Sequence, residues 1–122
     1  MPSKAMFVDC SAEEQIERWE RVERVLTELT PHERRKHFDM RGWARKTPCG
    51  TVACAAGHCG MDPWFRRRGF HISPNGDFKG MDVTAFFGYH GTNHIFLNAT
   101  KRPVSDVIKE VRAYVKQLKG VV

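Results

Sequence analysis

No apolar run in this 122-residue chain approaches the ~20 residues that a membrane-spanning helix needs. Met1–Asp9 lacks the apolar centre and small-residue cleavage site of a secretory signal, so the expected location is the cytoplasm. There the four cysteines are expected as thiols rather than disulfides. Internal repeats and low-complexity tracts are missing too, which leaves one globular domain over residues 1–122. There is no glycine-rich phosphate loop, no paired-carboxylate motif and no serine-centred motif. Helix-turn-helix, ribonucleoprotein and zinc-finger signatures are also absent, so sequence-specific DNA reading is not expected.

Acidic residues become scarce after residue 30. Residues 1–30 carry four Lys and Arg against seven Asp and Glu, a net of −3. Residues 31–122 carry sixteen against seven, a net of +9. A basic body behind an acidic start suits an anionic partner: a nucleotide, a nucleic acid or an acidic protein face.

Ser11 stands three residues before Glu14, the spacing of a capping box. Ile16, Trp19, Val22, Val25, Leu26 and Leu29 then recur at helical spacing and predict a core-facing helix over 11–30. Glu17–Arg21 and Glu20–Arg24 are expected as i,i+4 pairs on its wet face. Thr30-Pro31-His32-Glu33 signals a second, short helix to about His37. Phe38, Met40 and Trp43 predict a loop that plugs the core, and Arg45–Pro48 a basic connector. Thr51 is the expected cap of a small-residue helix within 49–60. Asp62 caps a short helix over 64–68, and Asn75-Gly76 between apolar stretches predicts a hairpin. Asp82 caps another short helix, and Thr92 a turn over 93–98. Val104, Val107, Ile108, Val111, Val115 and Leu118 give the core stripe of a last helix over 103–119. The expected fold is mainly α (α+β): two long amphipathic helices around several short helices and a small β-hairpin.

Cys49 to Cys59 holds three of the four cysteines and His58. On a helix capped by Thr51, Cys54 and His58 would share a face. Cys49, Cys54 and His58 could then ligate zinc, with a fourth ligand from His37, His71, His90 or His94, although no Cys-x2-4-Cys knuckle is present. Alternatively, Cys54 in a first helical turn would feel the helix dipole, which favours a thiolate nucleophile. The third reading is packing, because Ala53, Ala55, Ala56 and Gly57 let neighbouring elements approach closely and a thiol behaves as a small hydrophobe. The small residues favour this last reading, and neither metal nor cofactor is expected. His90 and His94 are read as loop histidines, since Gly91 and the cap at Thr92 separate them.

The sharpest basic feature is Arg66-Arg67-Arg68, beside Trp64. Guanidinium groups next to an aromatic ring can hold phosphates and stack on bases, although such a run also serves as a plain solvated helix end. Trp64, Arg66, Arg67 and Arg68, with Cys54 and His58, are therefore the candidate ligand-binding residues.

The run from Trp43 through Cys49-Gly50-Thr51-Val52-Ala53-Cys54-Ala55-Ala56-Gly57-His58 resembles a group of small proteins from tailed bacteriophages and their hosts. Their pattern reads CGT-x-x-C-x-A-G-[WH], and the likeness extends over residues 37–97. It implies a small intracellular phage or prophage protein. It also implies that Cys49 and Cys54 belong to a shared framework while His58, at a position that also takes Trp, is no obligatory ligand. The expected function is that of a non-enzymatic accessory protein binding a host factor or an anionic ligand in a defence or takeover pathway. The alternatives are a small Cys/His hydrolase or transferase for phosphate-bearing or acyl substrates, and a zinc-stabilised interaction module.

Overall fold

The structure is a computed structural model that describes residues 11–48, 50–97 and 102–121. Its first helix, α1 (Ala12–Thr27), starts where the capping box predicts. The Ser11 hydroxyl accepts from the Glu14 amide, and the Glu14 carboxylate accepts from the Ser11 amide, each at 3.2 Å. Trp19, Val22, Val25 and Leu26 are buried, with Ile16 and Leu29 packed at the edge of the core. The final helix, α7 (Val104–Val121), runs beside α1 and buries Val104, Val107, Ile108, Val111, Tyr114 and Val115. Each of these large apolar side chains contributes about 1.5–3 kcal/mol by leaving water. Trp19 is the hub, its ring centroid 5.0 Å from those of Phe87 and Phe96 and 5.2 Å from that of Tyr114. Its indole N–H donates to the Phe87 carbonyl at 3.1 Å, so the buried polar atom is satisfied.

The expected Glu17–Arg21 and Glu20–Arg24 pairs give way to other partners, one of them four residues along the chain and two on other elements. Arg21 reaches Asp62 at 3.7 Å, Arg24 pairs with Glu28 at 3.4 Å, and Glu20 meets Lys119 at 3.0 Å.

Between the long helices the chain makes short elements. The second helix, α2 (Pro31–Lys36), has the predicted Thr30–Glu33 capping box. Two strands follow, β1 (Ala44–Thr47) and β2 (Gly50–Ala53), paired antiparallel from Ala44↔Ala53 to Thr47↔Gly50. This corrects the basic connector and the Thr51 cap: both segments are strand. Phe38 adds an isolated parallel bridge to Ala53, so the segment after α2 lies along β2. Helix α3 is only Ala55–Gly60, with Cys54 as its N-cap, and Cys49 lies outside the described residues. The close approach that its small residues predict is realised. A Cβ on Gly57 would run into the Trp43 carbonyl oxygen, and one on Gly60 would lie 2.6 Å from Ile72.

Asp62 caps α4 (Pro63–Arg66) as expected. The second hairpin, β3 (Phe70–Ile72) with β4 (Phe78–Gly80), carries the predicted turn, and Gly76 takes φ +89° there. Asp82 caps α5 (Val83–Phe87). The next segment differs from expectation. Helix α6 (Tyr89–Gly91) leads directly into a π-helical turn over Thr92–Phe96. Thr92 is therefore no cap. It is fully buried and its hydroxyl donates to the Val83 carbonyl at 3.3 Å. The fold is the expected mainly helical α+β arrangement, with two hairpins among the described residues rather than one. No helix among them is long and apolar enough to cross a membrane.

Candidate functional site

Cys54 sits at the junction of β2 and α3 with extended backbone (φ −78°, ψ −178°). Its sulfur accepts from the Gly57 amide at 3.4 Å and donates to the Trp43 carbonyl at 3.8 Å. Its own amide donates to the Gly42 carbonyl at 3.1 Å. The thiol thus performs the work of a capping hydroxyl. It is 1% exposed, and burial pushes its pKa up to about 11, outweighing the amides that favour the anion. Cys59 is completely buried, and burial raises its pKa well above the ordinary thiol value too.

His58 does not face Cys54. Because Cys54 is an extended cap residue, the 100° helical step does not relate the two. Cys54 opens on a cleft of about 200 Å³ walled by Met40, Trp43, Phe96 and Leu97. His58 opens on a different groove of about 270 Å³, beside Glu28, Glu33 and Asp62. A carbonyl can only accept, so the 2.8 Å contact to His37 O fixes the proton on His58 Nε2. The ring stacks on Phe38 at 5.9 Å, and burial lowers its pKa. His37 in turn donates Nδ1–H to the Thr51 carbonyl at 2.9 Å. These histidines tie α2, β2 and α3 together.

Among the described residues no group of three His, Cys, Asp or Glu side chains is placed to hold a metal ion. His71 lies on β3, and His90 and His94 stack on one another at 5.8 Å, 7° from parallel. That stacking corrects their reading as loop histidines. The helical turn running through Gly91 brings the i,i+4 rings together.

The arginine run lies at the end of α4, and Arg66, Arg67 and Arg68 are exposed. Arg68 places its guanidinium carbon 3.6 Å above the Trp64 ring and donates to the Trp64 carbonyl at 3.1 Å. Arg21 approaches the same ring at 5.7 Å. Trp64 is thus engaged by the protein's own cations. Arg66 donates to the Gly60 carbonyl at 3.5 Å. His71 has its pKa lowered, first by burial and then by Arg66 and Lys79, which locates a local positive field over β3 and β4.

A second basic group joins residues whose spatial relation the sequence does not reveal. Arg35 and Lys36 at the end of α2, Arg41 from the following turn and Arg45 from β1 rim a groove of about 190 Å³. Its floor is Phe38, Met40 and Val52. Asp39 lies within it, bound by Arg41 through Nε and Nη2 at 2.9 and 2.8 Å and by Arg45 through Nη2 at 3.3 Å. These bonds hold the Asp39 carboxyl well below the usual carboxylate range.

No protein-family model, curated protein or solved structure matches the chain.

Proposed function

We propose that the protein is a non-enzymatic binder of an anionic ligand, nucleotide or nucleic acid, through the basic surface of its central segment. One observation carries this reading: the distribution of charge after folding. Acidic α1 lies on basic α7, and Arg112–Glu23 at 2.8 Å and Lys119–Glu20 at 3.0 Å join them. Residues 1–30 (net −3) and 81–122 (six bases, three acids, net +3) offset one another. The whole formal excess of +6 therefore resides in residues 31–80, with ten bases and four acids. Most of those bases are exposed, on α2, the turn before β1, β1, the end of α4 and β4, with Arg41 and Arg45 sharing the single carboxylate of Asp39. A surface of this kind concentrates polyanions and speeds their capture.

The likeness of residues 37–97 to small phage proteins supports a setting in a defence or takeover pathway, where an acidic face of a host factor would meet the same surface. The buried, protonated Cys54 and its separation from His58 favour a binding role over thiol chemistry.

The test is fluorescence anisotropy of the full chain with a labelled single-stranded oligonucleotide over a salt series. Binding should weaken linearly on a log–log plot, with a slope of about −0.7 for each phosphate neutralised. Affinity that is absent at low salt, or indifferent to salt, would refute the reading.

A further inference from the structure

The two basic groups differ in construction. At α4, Arg68 is spent on Trp64, while Arg66 makes one long hydrogen bond to the Gly60 carbonyl and Arg67 is exposed. In the groove between α2 and β1, two guanidinium groups are fixed on a shared carboxylate whose side chain is 10% exposed. Resting on the anion-binding reading above, we propose that Arg41 and Arg45, clamped by Asp39 and flanked by Arg35 and Lys36, form a phosphate-binding groove for a nucleotide unit, free or within a single strand.

A guanidinium has five N–H donors. Arg41 spends one on Nε and one on Nη2, and Arg45 spends one on Nη2. Most of the donors on both remain for an incoming oxyanion, and the side chains are 55% and 53% exposed. The Asp39 carboxylate leaves the trio at +1, and Arg35 with Lys36 brings the rim to +3. Asp39 also accepts from the Arg41 amide at 2.9 Å, so the turn itself is braced. Holding arginines in place before the ligand arrives removes part of the entropy cost of binding. Such a planar, two-pronged donor set matches a phosphate better than a lysine point charge does. The apolar floor of Phe38 and Val52 offers a surface for the sugar or base, which a purely solvated charge patch lacks.

Bare electrostatics and this geometry predict opposite signs for one substitution. Asp39→Asn removes a negative charge from the groove, so a diffuse field would bind anions more tightly. A clamp would loosen, and affinity should fall. Arg41→Lys and Arg45→Lys keep the charge but lose the fork. Each should cost about tenfold, as expected for a lost charge-assisted hydrogen bond.

The experiment titrates the full chain and its variants with inorganic phosphate, adenosine monophosphate and a labelled ten-residue thymidine oligonucleotide, by calorimetry and anisotropy at fixed salt. Weaker binding in Asp39→Asn and in both lysine variants supports the groove. Should Asp39→Asn fail to fold by circular dichroism, the exposed lysine variants decide alone. Comparable affinity for the mononucleotide and the oligonucleotide identifies a free nucleotide as the ligand, and binding of the oligonucleotide alone identifies a strand. Unchanged binding in the lysine variants, or tighter binding in Asp39→Asn, would overturn the groove. If Arg66→Ala with Arg67→Ala then abolishes binding, the general anion-binding reading survives without it. If the unmodified chain binds none of the three probes, both fail.

Discussion

Cys54 provides the sharpest check on the thiol chemistry. Its pKa stands at about 11 against an ordinary value of 9.0, so at a given pH below both values it carries about a hundredfold fewer thiolates than an ordinary cysteine. At pH 8 that is roughly one thiolate in a thousand rather than one in ten. Only the thiolate reacts rapidly with alkylating reagents. Access adds to the effect, because the side chain is 1% exposed and its sulfur is engaged with Gly57 and Trp43. The assay is a timed iodoacetamide pulse at pH 8, with each cysteine read separately by peptide mass spectrometry and the urea-unfolded chain as reference. Native Cys54 should be modified at least about a hundredfold more slowly than the unfolded reference, from ionisation alone. The native rate should rise about tenfold per pH unit until the pH nears the folded pKa. Cys59, still more deeply buried, should be no faster. Modification of native Cys54 within tenfold of the unfolded rate would refute the burial argument and restore the nucleophile reading.

Gly57→Ala should destabilise the fold by about 1–3 kcal/mol or more, because backbone at Trp43 occupies the space the methyl needs. Gly42→Ala, with nothing within 4 Å of the new methyl, should be neutral or stabilising by up to ~1 kcal/mol, and chemical denaturation distinguishes the two. Thr30→Ala should cost about 1 kcal/mol through loss of the capping box that starts α2, measured the same way. The Asp39 carboxyl is depressed, chiefly by its hydrogen bonds from Arg41, so its contribution to stability is complete above the unfolded value of 3.8 and is lost as pH falls below it. Asp39→Asn should flatten the acid limb of the stability curve between roughly pH 4 and pH 2, and an unchanged limb would contradict the pairing.

The two long helices and the short α2 were legible because their signals are local. Ser11 with Glu14, and Thr30 with Glu33, specify helix starts within four residues, and the apolar stripes repeat at a period that only a helix buries. The first hairpin was not legible, because neither strand alternates cleanly. Ala44–Thr47 exposes its two central residues and half-buries its ends, while Gly50–Ala53 runs from exposed to buried. What holds β2 is Phe38 pairing with Ala53 and His37 bonding to Thr51, contacts made across more than a dozen residues. Thr51 is by propensity a better cap than cysteine. The hairpin claims Thr51 for the ladder, and the cap falls to the next residue able to accept a hydrogen bond, Cys54. That three-residue shift also undid the predicted Cys54–His58 face.

The candidate site follows the same logic. A triple arginine draws notice in a sequence, yet adjacency along the chain does not make a binding geometry. At Arg66–Arg68 it yields one cation folded onto Trp64 and two left to solvent or a single long hydrogen bond. Asp39, Arg41 and Arg45 stand at i, i+2 and i+6, an unremarkable spacing until the turn after α2 and the start of β1 bring them together. A recognisable hint was present nonetheless: a lone acid, Asp39, amid five bases from Arg35 to Lys46. An isolated carboxylate in a basic stretch is the group around which arginines can organise. In this fold the same loop that plugs the core with Phe38 and Met40 also presents those arginines. The packing of the hairpin beneath it and the rigidity of the basic groove are therefore one structural requirement.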